Sequence, residues 1–253
     1  ASYDKYKGDK NHAFWYFDKE MADATEKYYA NERGKTEQYI GFEQKGKLIT
    51  FNPKSHVRMS PSFQPEADGV TFHLKAVYTD TLRNEYSKEH STHPIRMSRI
   101  CGPVEVVNDT TFTVRFYRMG LDNPKRTGGI CLMASVKQDH KYRSAVQQVE
   151  IRIPYRNKEG IPQRIIFPKL SDVKASVKEI SLNGTADSGL PVYYYVKEGP
   201  AEIKGDKLVL TKIPSRAKFP VKVTVVAWQY GRSGEPKVQT AEAVEQSFYI
   251  TAR

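Results

Sequence analysis

The sequence lacks the patterns that define several common classes of protein. It has only 2 cysteines, Cys101 and Cys131, in 253 residues, too few for a scaffold held together by many disulfides. One disulfide or two unreactive thiols would both fit this count. No run approaches the roughly 20 apolar residues of a membrane-spanning helix, so we predict no membrane span. The sequence does not begin with a basic and then apolar signal segment, so we expect an export signal to be absent or removed.

Signatures of catalysis and cofactor binding are also missing. The sequence has no Gly-rich phosphate loop and no G-x-S-x-G nucleophile elbow. Its carboxylates are scattered through predicted turns and strand faces, and no pair stands out as a general acid and base. His90 and His93 lie close to Glu89, but no further ligand follows at a telling spacing, and a zinc site needs at least three protein ligands. We therefore predict no catalytic residue, no metal site and no cofactor.

The charge is one-sided but dispersed. The formal net charge is +11, from 40 Lys and Arg against 29 Asp and Glu. The basic residues alternate with acidic ones, and no Lys/Arg run forms a stripe that could follow a phosphate backbone. This pattern favours a solvated basic surface and predicts no nucleic-acid partner.

Short strand-like segments are abundant. Residues 191–211, PVYYYVKEGPAEIKGDKLVLT, contain three of them, separated by Gly199-Pro200 and Gly205-Asp206. Strands of this length and spacing are typical of an all-β sandwich or barrel.

An internal repeat organises the chain. Residues 94–114, PIRMSRICGPVEVVNDTTFTV, align with 191–211 without a gap. Further on, Ala134 aligns with Ala227, and the two cysteines align with Glu198 and Thr224, which we predict to face outward. We predict two immunoglobulin-like sandwiches at residues 48–154 and 165–253, joined by a linker at residues 154–164, PYRNKEGIPQR.

The amino-terminal segment, residues 1–47, has a different pattern. Apolar side chains at spacings of 3 and 4 residues would lie on one face of an α-helix: Phe14, Phe17, Met21, Ala24 and Tyr28. We predict an amphipathic helix here. It would either pack on the first sandwich or be the last helix of an upstream domain.

The second repeat contains short segments that are similar to a known family. Residues 188–192 (SGLPV), 199–201 (GPA) and 223–227 (VTVVA) resemble the immunoglobulin-like repeat of secreted bacterial proteins. The resemblance covers residues 165–253 well, and the first repeat is similar to a diverged copy. Such repeats are common at the carboxyl end of large exported proteins, often ones that act on glycans. The resemblance implies export and an accessory role, and it brings no catalytic residues.

The strongest functional signal is an aromatic face on the second sandwich. Alternation along three strands of one sheet places five rings on its outer side: Tyr193, Tyr195, Trp228, Tyr230 and Tyr249. The matching positions of the first repeat are polar. An exposed aromatic face is typical of a binding site or a domain contact. We favour docking against another domain, and a polysaccharide platform is the alternative.

These observations predict an all-β, non-catalytic accessory region of an exported bacterial protein, serving as a spacer or docking module. Its location would be the cell surface, the periplasm or the extracellular space. Its partner would be a neighbouring domain of the same protein. The alternative is a carbohydrate-binding module that uses the aromatic face, with a polysaccharide as partner. In a third interpretation the chain is part of a glycan-acting enzyme whose catalytic domain lies upstream.

Overall fold

The computed structural model describes residues 33–49, 59–80, 85–116 and 128–252, together with Asp23, Ala24, Lys27, Ala30 and Asn31. Every element of secondary structure named within these residues is a β-strand, so the described part of the chain is all-β, as predicted. The strands fall into two successive units. The first unit ends at Arg152 and the second begins at Ile165.

Within the described ranges, the first unit holds ten strands. In chain order they are β1 (Tyr39–Gln44), β2 (Lys47–Leu48), β3 (Thr71–His73), β4 (Lys75–Asp80), β5 (Glu85–Tyr86), β6 (Arg96–Cys101), β7 (Val104–Val106), β8 (Thr111–Val114), β9 (Gly129–Val136) and β10 (Ala145–Arg152).

The second unit holds nine strands. They are β11 (Ile165–Ile166), β12 (Val173–Lys174), β13 (Glu179–Ser181), β14 (Thr185–Ala186), β15 (Tyr193–Glu198), β16 (Ala201–Lys204), β17 (Lys207–Leu210), β18 (Val221–Trp228) and β19 (Val244–Thr251).

The second unit is a two-layer sandwich. One layer is the sheet β12-β19-β18-β15, in which β12 runs parallel to β19, and the other is β13-β17-β16. Side chains that point between the layers close a core, among them Leu208, Val223, Val225 and Phe248. The last two strands, β18 and β19, form one layer together with β15, and a layer of shorter strands faces them. Two facing sheets of this kind are the arrangement of immunoglobulin-type sandwiches.

The first unit repeats these layers and adds a sheet. Its two sandwich layers are β10-β9-β6 and β3-β8-β7. The additional sheet, β2-β1-β4-β5, forms because the chain continues past Leu74 from β3 into β4, where β1 pairs with it. Residues 39–44 are therefore strand, and their hydrogen bonds join them to the first unit although they precede residue 48. The division at 1–47, 48–154 and 165–253 otherwise stays a prediction.

Equivalent strands of the two units pair in the same register. Two matching rows of cross-strand neighbours show this: Met97, Ala134 and Gln147 in the first unit, and Tyr194, Ala227 and Val244 in the second. Both units also carry a bulge near the end of the equivalent strands β6 and β15, before Cys101 in β6 and before Glu198 in β15. The predicted equivalence of Ala134 and Ala227 is confirmed.

The glycines of the two Gly-Pro turns have one structural cause. Gly102 and Gly199 have φ of +99° and +101°. A Cβ at these positions would lie 2.4 Å from the Gly129 carbonyl oxygen and 2.6 Å from that of Lys222. Only glycine allows this approach to the neighbouring strand.

One detail of the predicted alignment is wrong. The ungapped alignment pairs Phe112 with Val209. In the structure Phe112 lies opposite Val106, and the residue opposite the equivalent Ile203 is Leu208. Phe112 and Leu208 are both fully buried. The second copy therefore has a turn one residue shorter, because a slip of one residue would direct the core side chain to the other face.

The predicted amino-terminal helix is not supported. Of its stripe only Ala24 belongs to the described residues; Phe14, Phe17, Met21 and Tyr28 lie outside them. The five separate described residues from Asp23 to Asn31 have helical backbone geometry and exposed side chains. No helix is among the elements given for the described residues, and the rest of the predicted helix lies outside them.

In the described part of the chain, no helix combines the length and the apolar character needed to cross a bilayer.

Candidate functional site

The predicted aromatic face lies on β15 and β18, which pair along their length. Tyr193 lies opposite Trp228. Their sequence neighbours Tyr194 and Ala227 belong to the core of the second sandwich. In contrast, Tyr195 and Trp228 belong to a buried cluster built mainly by the first unit. The outer side of this sheet is therefore covered by the first unit at the end that carries Tyr195 and Trp228, and the alternation of the strands places these two rings there.

An aromatic cluster joins the two units; its members are Phe63, Phe116, Tyr193, Trp228 and Tyr230. The Trp228 ring stacks on Tyr193 with centroids 4.9 Å apart and meets Phe116 edge-on at 5.2 Å. Tyr230 lies 5.5 Å from Phe116 and 6.4 Å from Phe63. Trp228 is 1% exposed and Tyr230 0%. Ring pairs of this kind contribute about 0.5–1.5 kcal/mol beyond the buried area, so the cluster stabilises the contact.

Tyr249 lies away from this cluster. It is 42% exposed and pairs with Lys222, near the opposite end of β18 from Trp228. The separation along the strand is about 20 Å at the rise of an extended chain. The predicted grouping of Tyr249 with the other rings is therefore corrected. Alternation fixes the face of a residue but not its position along the sheet.

The predicted linker is bound to the loop that joins β18 to β19. The Ile161 amide donates to the Lys237 carbonyl, and the Gln239 amide donates to the Ile161 carbonyl, both at 2.9 Å. The Gln163 side chain donates to the Gln239 carbonyl at 2.6 Å. Composition predicted a linker here, and this segment has strand-like hydrogen bonds to the second unit.

Asn157 anchors the same segment from within. Its side-chain amide donates to the Tyr230 carbonyl at 2.9 Å, and its backbone amide donates to the Thr240 hydroxyl at 2.8 Å. The Tyr230 hydroxyl in turn donates to the carbonyl of Pro154. The aromatic cluster and the linker therefore share Tyr230, whose ring packs on the first unit and whose polar groups hold the connection.

Two glycines bring the backbones of the units into contact. Gly69 and Gly231 have φ of +77° and +80°. A Cβ on Gly69 would lie 2.0 Å from the Gly231 carbonyl oxygen. Beside them, Arg232 Nη1 donates to the Ala67 carbonyl at 2.9 Å. No side chain fits at position 69 unless the units move apart.

Two clefts flank the contact. One of about 290 Å³ is lined by Arg115 and Glu105, which form an ion pair, and by Tyr193 and Asp206 of the second unit. The other, of about 280 Å³, adjoins Phe116. Both lie at the lower limit of the roughly 300–1,000 Å³ typical of small-molecule sites.

Burial changes the ionisation of the interface tyrosines. It raises the pKa of Tyr230 far above the usual range of a phenol. It also raises the pKa of Tyr193 to about 12, with a smaller contribution from the negative charge of Asp68 in the first unit. In both cases the charged phenolate is disfavoured because it would lose its hydration.

The histidine cluster has ordinary structural contacts. The His90 ring stacks on Tyr78 with centroids 4.1 Å apart, and the Tyr78 hydroxyl donates to the His93 carbonyl. Glu89 pairs with Lys141 at 2.9 Å. Within the described ranges, no group of three or more His, Cys, Asp or Glu side chains is arranged to hold a metal ion.

No protein-family model matches the chain, and no curated protein matches its sequence. Similar solved structures include human protocadherin-24 EC1-2, at 13% identity over 77% of this chain and 94% of that one, with a TM-score of 0.29. Drosophila N-cadherin EC1-3 shows 12% identity over 77% and 65%, with a TM-score of 0.27. These scores are too low to support an argument, so the fold rests on the strand pairing described above.

Sequence reasoning missed the first unit's share of the contact. Phe116 continues the alternation of Phe112 and Val114, a pattern that indicates only an inward-facing side chain. Phe63 and Gly69 lie in segments without strand periodicity. The alternation that ends at Phe116 was the available signal, and it did not identify the residues that the Phe116 ring contacts.

Proposed function

We propose that this chain is a non-catalytic structural module in which the outer aromatic face of the second sandwich docks on the first. The observation that carries the proposal is the burial of Trp228 and Tyr230 between the units. A sugar platform needs open rings, and of the five predicted rings Tyr249 is the most exposed. We therefore favour docking over polysaccharide binding.

The proposed role is that of a rigid spacer. Neighbouring domains generally move relative to each other unless their interface is large and apolar. Here an aromatic cluster, a backbone contact at Gly69 and Gly231, and a hydrogen-bonded linker act together. The cluster and the backbone contact resist separation of the units, and the linker contacts resist rotation about the connection.

The wider setting follows from the resemblance of residues 188–192, 199–201 and 223–227 to bacterial immunoglobulin-like repeats. It supports an accessory role in an exported protein, with the next domain of that protein as the partner. An upstream glycan-acting domain belongs to the same proposal. No catalytic role is proposed for the described residues.

Distances between the units test the rigid-spacer proposal. Nitroxide labels on Val146→Cys and Ile166→Cys, which are 69% and 65% exposed in the parent, would report across the contact once Cys101 and Cys131 are changed to serine. Pulsed electron resonance should give one narrow distance distribution. Adding Trp228→Ala should broaden it, and adding Tyr249→Ala should not. A broad distribution in the labelled parent would contradict a fixed arrangement.

Retention on insoluble polysaccharides separates the two functions. Cellulose, xylan, chitin and starch would be incubated with the parent and with Tyr249→Ala. We expect no retention of either protein. Retention that is lost in Tyr249→Ala would favour the carbohydrate-binding alternative.

A further inference from the structure

The two cysteines are direct cross-strand neighbours. Cys101 ends β6 and lies opposite Cys131 on β9, immediately after the bulge. Cys101 is exposed and Cys131 half-buried, so both are on the outer side of the sheet, away from the core residues Ile130 and Leu132. In the sequence they are thirty residues apart, and only the sheet brings them together.

Cross-strand geometry suits a disulfide. Opposed residues of antiparallel strands have Cα atoms about 4.5–5.5 Å apart, within the roughly 4.4–6.8 Å that a disulfide spans. The second unit shows that side chains at these two positions reach each other. There Thr224 Oγ1 donates to Glu198 Oε2 at 3.4 Å, on the same register.

The local backbone holds this juxtaposition in place. Gly102, directly after Cys101, rests against the carbonyl of Gly129, and Arg99 Nε donates to the Gly102 carbonyl at 3.1 Å. The first contact holds the chain after Cys101 close to β9, and the second fixes the backbone turn around Cys101. Burial raises the pKa of the Cys131 thiol, and a hydrogen bond and charge interaction with Cys101 add to the rise.

We propose that Cys101 and Cys131 form an intramolecular disulfide between β6 and β9, a reversible modification site whose oxidant is a small-molecule disulfide or a protein disulfide. The Cys101 thiolate, the more accessible of the two, attacks the oxidant's disulfide and releases one thiol. The Cys131 thiolate then attacks the Cys101 sulfur and releases the second thiol. The two cysteines lose two protons and two electrons, and the oxidant is reduced to two thiols.

The bond would connect β6 to β9 around the β7–β8 hairpin. Closing a loop of this length restricts the unfolded chain and raises stability. We expect the oxidised protein to melt at least about 5 °C above its reduced form. The second unit has no such link, because Glu198 and Thr224 occupy the matching positions.

Oxidised glutathione and intact-mass spectrometry test this assignment. The parent should lose the mass of two hydrogens without gaining glutathione, and peptide mapping should find Cys101 joined to Cys131. Cys131→Ser should hold one glutathione on Cys101, and Cys101→Ser should react more slowly. Glu198→Cys with Thr224→Cys, in a background where both native cysteines are serine, is the matched geometric control and should also crosslink.

Several outcomes would overturn the proposal. They are a parent that stays reduced while the control pair crosslinks, a parent that carries two glutathiones, and a parent that forms only disulfide-linked dimers. The melting temperatures of the reduced parent and of both serine variants should agree, which shows that the variants fold.

Discussion

The rings of Trp228 and Phe116 meet edge to face, with centroids 5.2 Å apart and planes at 88°. Trp228 is the last residue of β18 in the second unit, and Phe116 lies just past β8 in the first. Both residues therefore lie at or just beyond the end of a strand, where the two sandwiches meet. Their contact joins the core of the first unit to the outer face of the sheet that contains β18.

Replacing Trp228 should therefore destabilise the whole chain. Trp228→Ala should lower the free energy of unfolding by about 3–5 kcal/mol, the usual cost of removing a buried tryptophan. Because the ring belongs to the contact, we also expect one cooperative transition to separate into two. Chemical denaturation followed by circular dichroism and intrinsic fluorescence would measure both effects.

Tyr249→Ala is the matched control for that experiment. Its ring lies on the same side of the same sheet but is exposed, so the change should stay within about 0.5 kcal/mol. Equal losses in the two variants would contradict the interface role of Trp228.

Gly69→Ala tests the backbone contact between the units. The added methyl would lie 2.0 Å from the Gly231 carbonyl oxygen, so the units must separate locally. Gly46→Ala is the control, because Gly46 has a similar φ of +73° and no atom within 4 Å of the added Cβ. The control should cost about 1 kcal/mol from backbone strain alone, and Gly69→Ala should cost clearly more in denaturant unfolding. Similar losses of stability in the two variants would mean that the units separate at Gly69 at little cost in free energy.

The raised pKa of Tyr193 predicts that the folded protein loses stability at alkaline pH. Its pKa is raised to about 12 by burial, whereas the unfolded chain titrates near about 10. The folded state therefore retains the proton over this window. The stabilising contribution is complete below pH of about 10 and disappears as the pH rises towards 12. Melting temperatures measured from pH 8 to 12 should fall less steeply for Tyr193→Phe than for the parent. An identical slope in both proteins would contradict this assignment.

The strands illustrate what local pattern can predict. The three strand-like segments predicted within residues 191–211 correspond to β15, β16 and β17, because alternation and Gly-Pro turns act over short distances. The outward side of Tyr193, Tyr195 and Trp228 follows from the same period of two. The one-residue gap before Leu208 was missed, because turn length depends on how the hairpin closes.

The strands, the repeat and the face on which each aromatic ring lies follow from the amino-acid sequence, since these depend on neighbours along the chain. Which rings are covered depends on the tertiary fold, because Phe116 packs on Trp228, Phe63 on Tyr230 and Gly69 on Gly231 through contacts distant in sequence. By alternation Tyr249 lies on the same side of the sheet as Trp228, but its ring is exposed and that of Trp228 is buried. The register of β18 and β19 and the position of the first unit set that difference, and no local pattern encodes either one.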